Sequence, residues 1–316
     1  MASLLVELQW NRIHIIYESD TYGISGSRIL NEHVTKLGIC VPITSAIDID
    51  NSTTISSQLN SILNESSNYQ IGGIVFIGGG QSGKQMIEIA DSLKSSSTPG
   101  FIFSEAIGLI TDFFLDDHNK TINSSKGSLV MSPVKMTVED FKQYWISLFT
   151  NTSILYEESK TNPWLKELFL KFSGCPLNNA SCSPMSENQV RTHLPEDVFV
   201  SYGILAAYTM AKAVHQMHTK LCSGQNGLCD KFKTVPRGQY ITELKEIAVD
   251  FQTDFGTASF TTIISSLQFD ENGNAVFTES SPDYEVYNHR TCLSGEQRFC
   301  LVKVSLIITE SYLSKD

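Results

Sequence analysis

The sequence contains no run of eighteen apolar residues, so no stretch reads as a membrane span. Its first ten residues, MASLLVELQW, lack the basic start, apolar stretch and small-residue cleavage site of a secretory leader. Positive charge is scarce: 34 Asp and Glu against 23 Lys and Arg leave a net charge of −11, with no clustered basic face, which excludes nucleic acid as a partner. Acidity of this kind reads as a solvated surface and names no partner by itself. Catalytic signatures are missing too. There is no G-x-S-x-G and no H-E-x-x-H, and the one unpaired cysteine has no histidine near it in sequence, so neither enzyme activity nor a cofactor is expected.

What is present points to a folded, two-part chain. With 316 residues, 41% of them hydrophobic, the protein can bury a sizeable core and divides most naturally into two globular units. Six of its seven cysteines fall in three close pairs, Cys175 with Cys182, Cys222 with Cys229, and Cys292 with Cys300, each enclosing a short polar loop. Closing such loops would stabilise the fold by roughly 2–3 kcal/mol each, which is useful in an oxidising compartment. Zinc is the rival, but the spacings are too long for a C-x2-C site and no histidine cluster accompanies them. Cys40 is the odd one, either a buried thiol or half of a bridge to another segment. N-x-S/T sequons at Asn51, Asn64, Asn119, Asn123, Asn151 and Asn179 are candidate glycosylation sites and favour a secretory route. Secretory features without a leader lead to the expectation that the chain is a piece of a longer protein.

Along the first 131 residues, short apolar runs alternate with helical spacing, the pattern of consecutive βαβ units in an open, mostly parallel sheet. Strands are expected at Arg12–Tyr17, Ile39–Thr44, Gly73–Ile77, Gly100–Ser104 and Ser128–Met131. Helical stripes lie between them: Ile29, Leu30, Val34 and Leu37; Ile55, Leu59, Ile62 and Leu63; Met86, Ile87, Ala90 and Leu93. From Thr137 the character shifts to longer helices, Val138–Phe149, Asn162–Phe172 and Glu196–Leu221. The last carries a core stripe of Ile204, Leu205, Tyr208, Ala211 and Met217. The tail returns to strands, with FDENG at Phe269–Gly273 as a hairpin turn before Ala275–Thr278, followed by Tyr284–Tyr287 and Cys300–Ile307.

Three places could carry chemistry. IVFIGGGQSGKQ, Ile74–Gln85, nearly spells a phosphate-binding loop, but Gln85 stands where the Mg²⁺-ligating Ser/Thr belongs. A glycine-rich turn at a ligand cleft is the better reading, with the amides of Gly79 and Gly80 at a helix start. His215 and His218, three apart on the long helix, and the run Asp116, Asp117, His118 are too few as ligands to hold a metal. Tyr22 follows the first strand, and Ser104 and Glu105 follow the fourth. Both positions lie at the carboxyl edge where an open α/β sheet meets its ligands. Tyr22, Gly79, Gly80, Ser104 and Glu105 are therefore the candidate ligand-binding set. The alternative, in which Tyr22 closes a turn and Glu105 caps a helix, stays open.

These residues together resemble the clamshell ligand-binding module of class C G-protein-coupled receptors. Trp10 with YESDTYGISG and GIC at Gly38–Cys40 resembles the stretch carrying the ligand-capping tyrosine of metabotropic glutamate receptors. NPWLKELFLKFSGC at Asn162–Cys175, LCSGQNGLCD at Leu221–Asp230, and LQFDENGNAVF followed by YEVYN are similar to their other motifs. FSEAIG at Phe103–Gly108 looks more like the calcium-sensing and taste-type receptors, whose glutamate meets the ligand's amino group.

The resemblance implies a periplasmic-binding-protein-like (Venus flytrap) fold with an incomplete first lobe. Residues 1–131 and 282–316 would form lobe 2, and 132–281 the later half of lobe 1. It further implies an amino-acid-like ligand, a homo- or heterodimer, a G protein reached through a transmembrane region, a place on the extracellular side of the cell membrane, and an interdomain bridge from Cys40. Phe199 and Ile110 stand where glutamate receptors place basic contacts, so a neutral or apolar amino acid fits better than glutamate. The alternatives are an amino-acid-binding protein, secreted or membrane-anchored, and the ectodomain of a receptor guanylyl cyclase.

Overall fold

Four short runs of mostly apolar residues, with a shorter edge strand beside them, form the parallel heart of one sheet in a computed structural model of the chain. The structure describes all residues except 49, 67–70, 94–98, 109–110, 135–136, 178–182, 193–198, 224, 251–253, 255–259, 262–265, 272, 279–283, 292–298 and 305–316. The chain divides into two compact units, Met1–Val134 with Ser280–Asp316, and Lys135–Glu279.

The first unit is built on a seven-stranded sheet. Its parallel strands are β1 (Ile13–Glu18), β2 (Thr44–Ile47), β3 (Gly73–Ile77), β4 (Gly100–Phe103) and β5 (Leu129–Pro133). The order across the sheet is β2, β1, β3, β4, β5, and two return strands, Tyr284–Thr291 and Phe299–Val304, add antiparallel beside β5. A short helix α1 (Ala2–Glu7) precedes β1. The crossovers are α2 (Thr21–Lys36), α3 (Ser52–Ser66) and α4 (Gly80–Ser92), with short 3-10 turns between β4 and β5.

Because side chains alternate along a strand, β3 sends Ile74 and Phe76 to one core and Val75 and Ile77 to the other. The first core gathers Phe101, Phe103 and Phe114 under α3 and α4; the second gathers Ile13, Ile15 and Ile102 under α1 and α2.

Close approach at the start of β3 depends on glycine. Gly73 lies opposite Gly100, and the Trp10 ring covers both. A Cβ at Gly72 would stand 2.3 Å from Trp10 Cγ. Gly23, in the first turn of α2, is equally constrained, since a Cβ there would lie 2.1 Å from the Glu18 carbonyl oxygen.

Some expectations shift. The second strand is not Ile39–Thr44 but Thr44–Ile47: Pro42 has no N–H to give a ladder, so the earlier segment makes only an isolated bridge between Cys40 and Arg12. On α2 the buried face is Gly23, Ser27, Leu30 and Val34, while Ile29 and Leu37 are exposed.

The second unit holds α5 (Glu139–Thr150), α6 (Thr152–Thr161), α7 (Trp164–Ser173), α8 (Glu187–Thr192), α9 (Phe199–Cys222), α10 (Asp230–Lys233) and α11 (Arg237–Lys245). Phe149, Leu155 and Phe169 centre the core shared by α5, α6 and α7. Asn151 separates α5 from α6 and caps the latter, accepting from the N–H groups of Ser153 and Ile154 at 3.0 and 3.3 Å. A small antiparallel sheet pairs Ala275–Thr278 with Ser266–Phe269 and the latter with Val249–Asp250. The FDENG turn closes on Gly273 at φ +85°, a left-handed position suited to glycine.

The buried stripe of α9 is Ser201, Leu205, Thr209, Ala213 and Met217, and Ala211 faces outward. Thr209 is tolerated there because its hydroxyl donates to the Leu205 carbonyl at 2.7 Å.

A disulfide joins Cys222, at the end of α9, to Cys229, just before α10, with a Cα separation of 5.6 Å. Replacing Cys222 by serine is expected to lower the stability of the second unit by about 2–3 kcal/mol. Urea denaturation of the variant and the unsubstituted chain, both without reductant, checks this. Cys175 is also disulfide-bonded. Cys182 and Cys292 lie outside the described residues, and Cys300 sits on the last strand opposite Arg290. Cys40 is a free and exposed thiol, so it is not a buried one.

Candidate ligand-binding site

The carboxyl edge of the parallel sheet is where β1, β3 and β4 release their chain into the next element, and the candidate residues stand there. Tyr22 occupies the first turn of α2, whose N-cap Asp20 accepts from the Gly23 N–H at 2.6 Å. Ser104 ends β4, and Glu105 opens the 3-10 turn Glu105–Ile107. The Tyr22 hydroxyl donates to Glu105 Oε1 at 2.9 Å across 83 residues of sequence. Burial pushes the Tyr22 phenol above its ordinary range, and the neighbouring Glu105 carboxylate adds to the rise, so the phenol is a protonated donor at neutral pH. Neither residue caps a helix: the 3-10 turn has no side-chain cap bond, and Tyr22 reaches across to another element.

Tyr22, Ser104 and Glu105 line one cavity of about 450 Å³ within the first unit. Its remaining walls come from the N-terminal residues Met1, Ala2 and Ser3, from α2, with Gly26, Ile29, Leu30 and His33, and from the sheet, with Ile77, Met131 and Tyr284. Ser104 is buried, and its hydroxyl lies against the Tyr22 phenol, where it acts against the upward push of burial. The α-amino group of Met1 also reaches this cavity; burial lowers its pKa to about 6, and Glu105 acts in the opposite direction.

Gly79 and Gly80 stand apart from this group and do not line the cavity. The Gly79 N–H donates to Glu18 Oε2 at 2.7 Å, and the buried Ser82 hydroxyl donates to the same oxygen at 2.9 Å. Thus the start of α4, read from its glycines as a seat for a ligand anion, holds a carboxylate of the chain itself. Glu18 was missed because its partner lies 61 residues away, and the only signal was an acidic residue at the end of a buried strand. Lys84, the residue that made the segment look like a phosphate loop, faces Glu88 at 3.9 Å.

Other candidates are used locally. His218 contacts the Gly227 carbonyl oxygen at 2.7 Å, and Asp116 accepts from the N–H groups of His118 and Lys120, which holds its carboxyl below the usual range. Among the described residues no group of three or more His, Cys, Asp or Glu could hold a metal ion. Asn51, Asn64, Asn119, Asn123 and Asn151 are all exposed, whereas Asn179 and Ile110 lie outside the described residues. Phe199, at the start of α9, is exposed.

The fold is periplasmic-binding-protein-like: a mostly parallel sheet flanked by helices, with the candidate cluster at its carboxyl edge. The chain belongs to the receptor family ligand binding region, whose sequence profile matches residues 1–289. Its relatives are receptors of class C. It is 22% identical over 310 residues to human metabotropic glutamate receptor 8, covering 92% of this chain and 32% of that protein. It is 21% identical over 300 residues to rat metabotropic glutamate receptor 4, covering 92% and 30%. A probable metabotropic glutamate receptor of Caenorhabditis elegans is 22% identical over 233 residues, covering 70% and 23%. The chain therefore spans about a third of the length of the first of these relatives. Among the described residues no helix is long and apolar enough to cross a membrane.

Proposed function

We propose that this chain senses an amino acid or similar amine-bearing small molecule on the extracellular side of a class C receptor, without catalysis. The observation that carries the reading is the Tyr22–Glu105 hydrogen bond of 2.9 Å at the carboxyl edge. A protonated phenol holds one oxygen of an acid, leaving the other to receive a ligand ammonium in a mostly apolar surrounding where a charge-assisted bond is strong. The buried Ser104 hydroxyl, beside the Tyr22 phenol, supplies a second polar contact.

The unit Met1–Val134 with Ser280–Asp316 takes the part of the second lobe in this reading, and Lys135–Glu279 that of the later half of the first. Ligand binding would favour a closed arrangement of two lobes through contacts made only when closed, and in a paired receptor closure would pass to a G protein. Gly79 and Gly80 would shape the cleft edge through backbone packing, since the Gly79 amide is already engaged. Cys40, exposed and free, is placed to bridge to a further segment of such a receptor.

Titration calorimetry with a panel of neutral, acidic and basic amino acids tests the reading. Glu105→Ala is expected to weaken the best ligand by about thirtyfold, and Tyr22→Phe by about fivefold. Unchanged affinity in Glu105→Ala would overturn the assignment of this cluster.

A further inference from the structure

The cavity beside Tyr22 and Glu105 extends well past those two residues. Tyr22, Gly26, Leu30 and His33 recur at helical spacing along three turns of α2, so this wall runs for about 16 Å at 1.5 Å per residue. Polar groups gather at the Tyr22 end, where Ser104 and Glu105 lie, and His33 stands at the far end of the helical wall. Much of the rest is apolar, with Ile29 and Leu30 on the helix, Ile77 and Met131 on the sheet, and Met1 and Ala2 beside the polar Ser3 at the N-terminus. Gly26 narrows the gap between helix and sheet, since a Cβ there would stand 2.9 Å from Ile77 Cγ2. Among the described lining residues there is no Lys or Arg to meet a ligand carboxylate.

Resting on the Tyr22–Glu105 reading, we propose that this slot takes a hydrophobic primary amine, its ammonium at Glu105 and its apolar body along α2 over Ile77 and Met131, with no carboxylate required on the ligand. The argument is one of matching. The carboxylate of Glu105 at the polar end fits an ammonium, and the Ser104 hydroxyl beside it has lone pairs to accept one of its hydrogens. A cavity of about 450 Å³ is in the range that encloses a small organic molecule. A dicarboxylic ligand would bring a second negative charge beside Glu105 and against mostly apolar side chains, where burying a charge is costly.

Binding of n-alkylamines from propylamine to hexylamine tests this, using calorimetry on the 316-residue chain at pH 7.5, where the Met1 amine is mostly uncharged. Affinity should tighten about fourfold with each methylene that enters the slot. Ile29 is 48% exposed, so Ile29→Trp can fill the slot without unfolding the unit, and it should abolish the chain-length dependence. Ile24→Trp, also on α2 at an exposed position outside the slot, should leave that dependence intact. L-phenylalanine and L-glutamate serve as comparison probes.

Each outcome decides a separate point. Glu105-dependent binding of the amino acids without any alkylamine binding would overturn the slot and keep the Tyr22–Glu105 reading. Length-dependent alkylamine binding that Ile29→Trp abolishes but Glu105→Gln leaves unchanged would keep the slot and overturn the reading. No binding by any probe would overturn both.

Discussion

Gly73→Val is expected to destabilise the first unit by about 3 kcal/mol, the upper end of what overpacking costs in a closed core. A Cβ at this position would stand 2.4 Å from the Gly100 carbonyl oxygen and 2.5 Å from Trp10 Cη2. The indole could swing away, but the carbonyl belongs to β4 and is fixed by the β3–β4 ladder, which pairs Gly73 with Gly100. Strand β3 lies between β1 and β4 and is buried along its whole length, so it has no solvent side toward which to relax. Trp10→Ala removes one of the two clashes and should therefore rescue only part of the loss. The double-mutant cycle gives the coupling between ring and glycine directly. Urea denaturation followed by circular dichroism is the measurement. A Gly73→Val transition at the unsubstituted midpoint would show that the ring and the strand are not held as the distances indicate.

The same residues explain why much of this fold was readable beforehand. β3 was placed at its observed bounds because a strand buried on both faces leaves an uninterrupted apolar run, and GIVFI has no polar break. β2 was misplaced because an edge strand is only half constrained by burial, and Pro42 diverts the chain before pairing resumes at Thr44. The expected stripe of α9 shares Leu205 and Met217 with its buried face, and the rest of that face is Ser201, Thr209 and Ala213, whose small side chains give little hydrophobic signal.

At the candidate site, Tyr22 and Glu105 could be named because a topological rule places strand ends at ligands, whatever the intervening sequence. The engagement of Gly79 by Glu18, and the wall built by Gly26, Ile29 and Leu30, depend on which helix face meets which strand. Local spacing does not carry that information.

Phe114→Ala is expected to cost about 3–5 kcal/mol, because the ring is fully buried and its neighbours cannot collapse into the space it leaves. Phe114 meets Phe113 edge to face at 4.7 Å and stacks on His289 at 4.2 Å with 14° between the planes. His289 lies on the strand Tyr284–Thr291, its Nδ1 within 3.1 Å of the Ser125 carbonyl oxygen and 3.2 Å of the Ser125 hydroxyl. Burial lowers the His289 pKa below 6.5, and the nearby Lys126 works in the same direction against the opposing Ser125 carbonyl.

A histidine whose folded pKa is depressed is kept neutral by the fold, while the unfolded chain takes up the proton first. Its contribution is therefore complete above about pH 6.5 and is lost as the pH falls below that value toward the folded pKa. The buried His14, whose pKa burial also lowers, adds to the same slope. Removing the Phe114 ring opens His289 to water, so the variant's His289 should titrate closer to 6.5 and its stability should fall less steeply with acid. Two-dimensional NMR of the imidazole C–H signals, with melting curves between pH 5 and 8, measures both effects. A variant that is less stable yet keeps the parent's His289 titration would show that the stacked ring is not what keeps the imidazole neutral.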